Sequence, residues 1–388
     1  MNDAVSEVLI DPATPLEMPP PWNVIEFTFS KTDSDSELVV MCNGRCFIIQ
    51  LFADQLSESL RDQYLFFLRV AENLELDGLY VQDFWNWAVE PLIPFFRAVG
   101  PDDKARQPTL DNFLFPETFV YTLRAVSGQL IPEPKDRNHA EHVEPRFGIP
   151  LADGICAPWA YFLPSEILIC QNHVPGPPSQ TPSRVLLKDG SVAFIKLMRR
   201  GDNQPLLNEL DKYKMLDEAR LGNTLRVSRL RGVVRDESGL VFGLLLTYIH
   251  CKFMTLSYAV KLETSPSLQQ KWATQLRDII DQLHDAGIVW GDAKPDNVLI
   301  DTNQDAWVVD FGGGYTEGWV PKKLAGTMEG DQHALEKMVE FIGTCHSGGN
   351  FVGRWPINGS RTESRGRNTM EPRDLANQRV SNWGMSRG

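Results

Sequence analysis

One stretch limits what this chain can fold into more than any other: Leu283-His284-Asp285-Ala286-Gly287-Ile288-Val289-Trp290-Gly291-Asp292-Ala293-Lys294-Pro295-Asp296-Asn297-Val298-Leu299-Ile300. After the polar residues Asp301–Asp305 the chain returns as Ala306-Trp307-Val308-Val309-Asp310-Phe311-Gly312. Two apolar runs around a polar turn read as an antiparallel hairpin, Val298–Ile300 going out and Ala306–Val309 coming back. A hairpin returns the chain to where it left, so Asn297 and Asp310 are expected side by side at its open end. Asp292 and Lys294 lie on the loop just before it. Two carboxylates, an amide and an ammonium therefore converge. Such a set suits a metal-bound triphosphate, with oxygen ligands for Mg²⁺, an orienting base for a hydroxyl and a positive charge for the moving phosphoryl group. The bland alternative is a solvated loop with an ordinary hairpin behind it.

Composition narrows the function classes. With 388 residues, 42% of them hydrophobic, the chain is long enough for two domains with their own cores. Its net charge of −13 argues against a nucleic-acid partner, because neutralising phosphates needs clustered Lys and Arg. No signal pattern, membrane-length apolar run or lipidation box is found, so no membrane partner and an intracellular location, cytoplasmic or nuclear, are expected. The six cysteines are scattered, and Cys42 and Cys46 flank a turn without a second pair to complete a zinc site. Reduced thiols are the expectation.

Residues 1–21 are Pro-rich and read as disordered. An α+β accessory region follows over 22–131. Val24–Phe29 reads as a strand, and Leu38–Cys42 and Cys46–Phe52 as a hairpin closed at Asn43-Gly44. In Leu56–Asn73, Leu60, Tyr64, Phe67, Leu68 and Ala71 fall on one helical face. Asp83–Val99 carries Phe84, Trp85, Trp87, Phe95 and Phe96, interrupted by Pro91 and Pro94, and Phe119–Val126 reads as a further strand. These aromatics read as core. The region shows no chemistry of its own and is expected to offer a surface to a protein partner. A linker over 132–164 contains His139 and His142, which read as surface residues rather than metal ligands.

The spacing Asp292-x-Lys294-x-x-Asn297 followed by Asp310-Phe311-Gly312 resembles the catalytic and metal loops of the protein kinase superfamily. The resemblance runs from about Ile167 to Phe341. It implies a two-lobed α+β fold over residues 165–345 with a shortened C-lobe, then a disordered tail over 346–388. Arg184–Leu187 and Ser191–Met198 read as a hairpin across Asp189-Gly190. Its second strand, Val192-Ala193-Phe194-Ile195-Lys196, resembles the strand whose lysine holds the α- and β-phosphates. The resemblance implies a carboxylate partner for Lys196 on the next helix, Leu206–Arg220: Glu209, with Glu218 as the alternative. Leu225–Val234 and Leu240–Ile249 read as strands. The second resembles the hinge, where backbone groups around Thr247–Ile249 would read the adenine edge and Leu246 would guard the back pocket. Ser265-Pro266 is an N-cap followed by a first-turn proline. The helix it opens carries Trp272, Leu276, Ile279, Ile280 and Leu283 inward and ends near His284, a structural residue on this reading. Asp331 resembles the aspartate that braces the catalytic loop, the alternative being a helix N-cap.

The sequence departs from the family in several places. Where a Gly-rich hairpin covers the phosphates, Asn172–Ser183 has only Gly176, among Pro175, Pro177, Pro178 and Pro182, and proline has no N–H to give. Phosphate grip then falls to side chains and metal, or nucleotide binding is weak. Trp290-Gly291-Asp292 stands where many protein kinases have His-Arg-Asp. That removes the arginine which meets an activation-loop phosphate. No Ala-Pro-Glu anchor follows. The resemblance implies ATP and Mg²⁺ as cofactors and γ-phosphoryl transfer to a protein or small-molecule hydroxyl. Asp292 and Lys294 would be catalytic, Lys196, Glu209, Leu246, Thr247 and Ile249 would bind ATP, and Asn297 and Asp310 would hold the metal. Two other readings stay open: a small-molecule kinase resembling aminoglycoside and choline kinases, and a pseudokinase that binds without transferring.

Overall fold

The computed structural model describes residues 19–30, 32–99, 107–135, 145–170, 180–222, 224–251 and 254–343. His139, His142, most of Asn172–Ser183, residues 1–18 of the expected N-terminal disordered segment and the whole of the C-terminal one lie outside them. The chain divides into two compact units: 1–106 with 116–142 and 176–180, and 107–115 with 143–175 and 181–388.

In the first unit, β1 (Trp22–Phe29), β2 (Ser36–Cys42) and β3 (Arg45–Leu51) form an antiparallel meander. Asn43 and Gly44 take φ of 50° and 75° at the second turn, the left-handed pair a two-residue hairpin needs. The chain then runs through α1 (Glu58–Asn73), a ribbon of β4 (Glu75–Leu76) and β5 (Leu79–Tyr80), α2 (Val81–Val89) and α3 (Ile93–Ala98). It re-enters the sheet as β6 (Thr118–Val126), parallel to β3, and leaves through β7 (Gln129–Pro134), giving the order β1-β2-β3-β6-β7. The strand β7 runs past residue 131, where the linker was expected to begin. Pro91 and Pro94 sit in the first turns of a 3₁₀ turn and of α3, so the aromatic run breaks into pieces without losing backbone partners. Phe84 is fully buried, its ring 5.2 Å from Phe27, 6.0 Å from Tyr64 and 5.7 Å from Phe67. These aromatics are core.

The second unit starts with α4 (Leu110–Leu114), inside the stretch the sequence reading gave to the accessory region. The backbone explains it: the Leu110 N–H donates to Ile167 O at 2.9 Å and the Ile169 N–H to Pro108 O at 2.9 Å. Much of the expected linker is likewise built into this unit. There β8 (Ile149–Pro150), α5 (Asp153–Cys156) and β9 (Tyr161–Phe162) precede β10 (Leu168–Ile169), β11 (Arg184–Leu186) and β12 (Val192–Leu197). After α6 (Asn203–Glu218) come β13 (Leu230–Arg235) and β14 (Leu240–Thr247). The sheet order is β10-β11-β12-β14-β13-β9, with β8 on β14. Gly232 allows the close approach of β9, since a Cβ there would lie 2.7 Å from Ala160 O.

Strand β13 is shorter than the expected Leu225–Val234 because residues 226–228 pair elsewhere. The Ser228 N–H donates to Val308 O and the Val308 N–H to Arg226 O, both at 3.0 Å. The remainder of the unit holds α7 (Leu256–Ala259), α8 (Pro266–Asp285), the hairpin β15 (Val298–Ile300) with β16 (Ala306–Val308), and α9 (Met328–Gly343). Ser265 caps α8 through the Leu268 N–H, and the helix buries Trp272, Leu276, Ile279, Ile280 and Leu283. No helix among the described residues is long and apolar enough to cross a membrane.

Candidate active site

Strand alternation puts Phe194 and Lys196 on one face of β12, while Ala193 and Ile195 go into the core. The first helical turn after it belongs to α6, whose inner face is Leu206, Glu209, Leu210, Tyr213 and Leu216. The Lys196 Nζ lies 2.7 Å from Glu209 Oε2 and 2.7 Å from Asp310 Oδ1. Glu218, the alternative partner, is exposed and faces Lys214 at 3.9 Å. Burial on its own would lower the Lys196 pKa, but the two carboxylates outweigh it and hold the ammonium above the usual lysine range. Burial pushes the Glu209 carboxyl up, Asp310 adds to that, and Lys196 pulls the other way.

Asp310 follows β16 with φ of 66°, a left-handed backbone uncommon for a non-glycine residue. Phe311 is fully buried with its ring 5.8 Å from Tyr213, and the Val309 N–H donates to Asn297 O at 3.0 Å.

The loop before the hairpin is clamped from behind. Asp331 is 2% exposed and accepts the Trp290 N–H at 2.7 Å and the Gly291 N–H at 2.9 Å, with His284 Nε2 at 3.1 Å. It is not a helix N-cap, since α9 already starts at Met328. Trp290, fully buried, donates its Nε1–H to Val309 O at 3.0 Å, which ties the loop to the hairpin. Held this way, Asp292 Oδ2 lies 2.7 Å from Lys294 Nζ and accepts from Asn297 Nδ2 at 3.0 Å. Asn297 Nδ2 also donates to Asp292 O at 2.9 Å.

Thr316, which sequence reasoning passed over, completes this group. Its Oγ1 lies 2.9 Å from Lys294 Nζ and 3.0 Å from Asp292 Oδ1. A lone threonine in a glycine-rich segment carries no spacing signal. Gly314 is the nearest sign of it, because a Cβ there would sit 3.3 Å from Asp292 Cγ and the chain must pass close.

Leu246 is buried in β14 opposite Phe194, on the face that carries Lys196. The Thr247 N–H donates to Arg229 O at 2.9 Å. Ile249 is buried at the strand's exit, and its C=O accepts the Cys251 N–H at 2.9 Å.

The site has hard oxygen donors of the kind Mg²⁺ takes. Both bonds of Asn297 Nδ2 are directed at Asp292, which leaves Oδ1 as the acceptor atom of that amide. No group of three or more His, Cys, Asp and Glu fit to hold a metal occurs among the described residues.

No family model matches the chain. Serine/threonine-protein kinase PKH1 of Saccharomyces cerevisiae is 31% identical over 151 residues, 38% of this chain and 18% of that protein. Serine/threonine-protein kinase PKH2 of the same yeast is 38% identical over 107 residues, 26% of this chain and 9% of that protein. The relationship is partial and protein-kinase-like. This chain spans less than a fifth of the length of either relative.

Proposed function

We propose that the second unit is a two-lobed, protein-kinase-like domain with a shortened C-lobe. Its activity is Mg²⁺-dependent transfer of the ATP γ-phosphoryl group to a hydroxyl acceptor, as in a serine/threonine protein kinase. The observation that carries this reading is the convergence on Lys196, where Asp310, 114 residues away in the chain, and Glu209 both meet its ammonium at 2.7 Å. A half-buried ammonium between two carboxylates is costly to assemble and repays its cost when a polyanion is to be placed there.

In this reading Lys196, set by Glu209, positions the α- and β-phosphates. Asp292 orients the acceptor hydroxyl and takes its proton late. Lys294 offsets charge on the transferring group, and Thr316 holds both in register. Asn297 and Asp310 would hold Mg²⁺, which neutralises charge on the phosphate oxygens when bound. Leu246 and Ile249 would flank the base. Little covalent chemistry falls to the protein, so placing charges is the whole of the catalysis.

The test is Asp292→Ala, with Mg-ATP binding measured by calorimetry and transfer by labelled ATP against protein and small hydroxyl acceptors. Binding retained within a few-fold and transfer lost by at least about a thousandfold is the expected result. Transfer to small hydroxyl compounds alone would move the assignment to a small-molecule kinase. A wild-type chain that binds Mg-ATP without transferring, or binds none, would mark a binding module.

A further inference from the structure

Glu209 has a second partner that the phosphotransferase reading does not require. Tyr213 lies one helical turn further along α6, and its Oη is 3.3 Å from Glu209 Oε1 and 3.0 Å from Ser228 Oγ. All three residues are buried, and Ser228 is fixed by its N–H donated to Val308 O. The donors can be assigned without conflict. Ser228 donates to Tyr213, Tyr213 to Glu209 Oε1, and Lys196 to both Glu209 Oε2 and Asp310 Oδ1. The result is a continuous polar chain from Ser228, in the segment before β13, to the carboxylate after β16, with each oxygen of Glu209 given its own donor. The same tyrosine ring packs edge-on against Phe311, so one side chain touches the helix partner of Lys196 and the neighbour of Asp310.

From this geometry we infer that the Tyr213 hydroxyl is a positioning group for Lys196. It fixes the rotation of the Glu209 carboxylate so that Oε2 is presented to the ammonium, and it keeps that carboxylate ionised by supplying a donor where no water reaches. Its effect on nucleotide rests on the phosphotransferase reading; its effect on Lys196 does not. The charged and titratable groups facing Glu209 are Lys196 from β12, Asp310 from the segment after β16, and Tyr213 from its own helix. Losing the hydroxyl leaves a buried carboxylate one donor short, which favours its protonated form.

The experiment is Tyr213→Phe, which keeps the ring on Phe311, beside Ser228→Ala, which removes only the far end of the chain. Two readouts are taken. The first is the rate at which an amine-acylating reagent modifies Lys196, mapped by mass spectrometry, and it needs no nucleotide. Tyr213→Phe is expected to raise it about fivefold or more, with Ser228→Ala smaller and in the same direction. The second is Mg-ATP affinity against pH, where Tyr213→Phe is expected to weaken binding roughly tenfold. The acid limb of the profile should move to higher pH. If the wild-type chain binds no nucleotide, the phosphotransferase reading fails and the acylation rates still decide the role of Tyr213. Unchanged Lys196 acylation in both variants, or a loss of thermal stability with neither readout moved, overturns the inference.

Discussion

Trp290 and Asp331 stand 41 positions apart in the chain, and the Trp290 N–H donates to Asp331 Oδ2 at 2.7 Å inside a buried site. The neighbouring Gly291 N–H reaches the other carboxylate oxygen. One side chain from α9 thus satisfies two consecutive backbone donors of the loop that carries Asp292.

Asp331→Ala removes the acceptor for both donors and leaves them buried. The expected loss is about 3 kcal/mol in the unfolding free energy of the second unit, with Asp331→Asn intermediate because it keeps one acceptor oxygen. Urea unfolding checks it. A loss under about 0.5 kcal/mol would show that water reaches these N–H groups.

Thr316 contributes a hydroxyl between Lys294 and Asp292. Under the proposed activity, Thr316→Ala should lower transfer by ten- to a hundredfold with Mg-ATP affinity unchanged, and Thr316→Ser should restore most of it. Equal losses in both variants would mean that the methyl group, not the hydroxyl, matters.

Burial pushes the Cys42 thiol up to about 12 in the first unit. Burial also raises the Tyr64 phenol to about 12, although its contact with Ser36 works against the shift. A group whose folded pKa is raised contributes stability that is complete below its unfolded value and fades as pH climbs toward the folded one. The first unit should therefore lose stability between pH 9 and 12, by up to about 1.4 kcal/mol per pH unit for Cys42 alone. Cys42→Ala should flatten the urea-unfolding profile between pH 9 and 10, where Tyr64 has not yet begun to contribute fully. The same slope in the variant would rule Cys42 out.

Gly330 lies within α9, where alanine would ordinarily favour the helix by about 1 kcal/mol. A Cβ there would come 2.1 Å from Leu324 O, a backbone atom of the turn at residues 322–324. The steric cost decides the sign, and Gly330→Ala should destabilise the second unit by about 1–3 kcal/mol. A raised melting temperature would show that the turn yields.

Local pattern made most elements legible. The Asn43-Gly44 turn, the inner face of α1, the Ser265 cap and the hairpin at residues 298–308 each depend on a few adjacent residues. The pairing of Lys196 with Glu209 also had a local basis, one strand followed by one helix. Thr316 had none, because its role is set by where a glycine-rich segment crosses Asp292. The bond from the Thr247 N–H to Arg229 O, a partner 18 positions earlier, had no local signal either.

Residue types at strand and helix periods determined, without any coordinates, that two carboxylates, an amide and two lysines would be available on short elements. Tertiary structure alone decided which of them share a charge. Asp310 meets Lys196 where a left-handed backbone precedes the buried Phe311, and 107–115 joins the second unit through backbone bonds to residues near 168 and through the rings of Phe113 on Phe147 and Phe115 on Phe242. Such choices come from long-range packing and from the need to give every buried donor a partner, and neither has a period that a sequence can display.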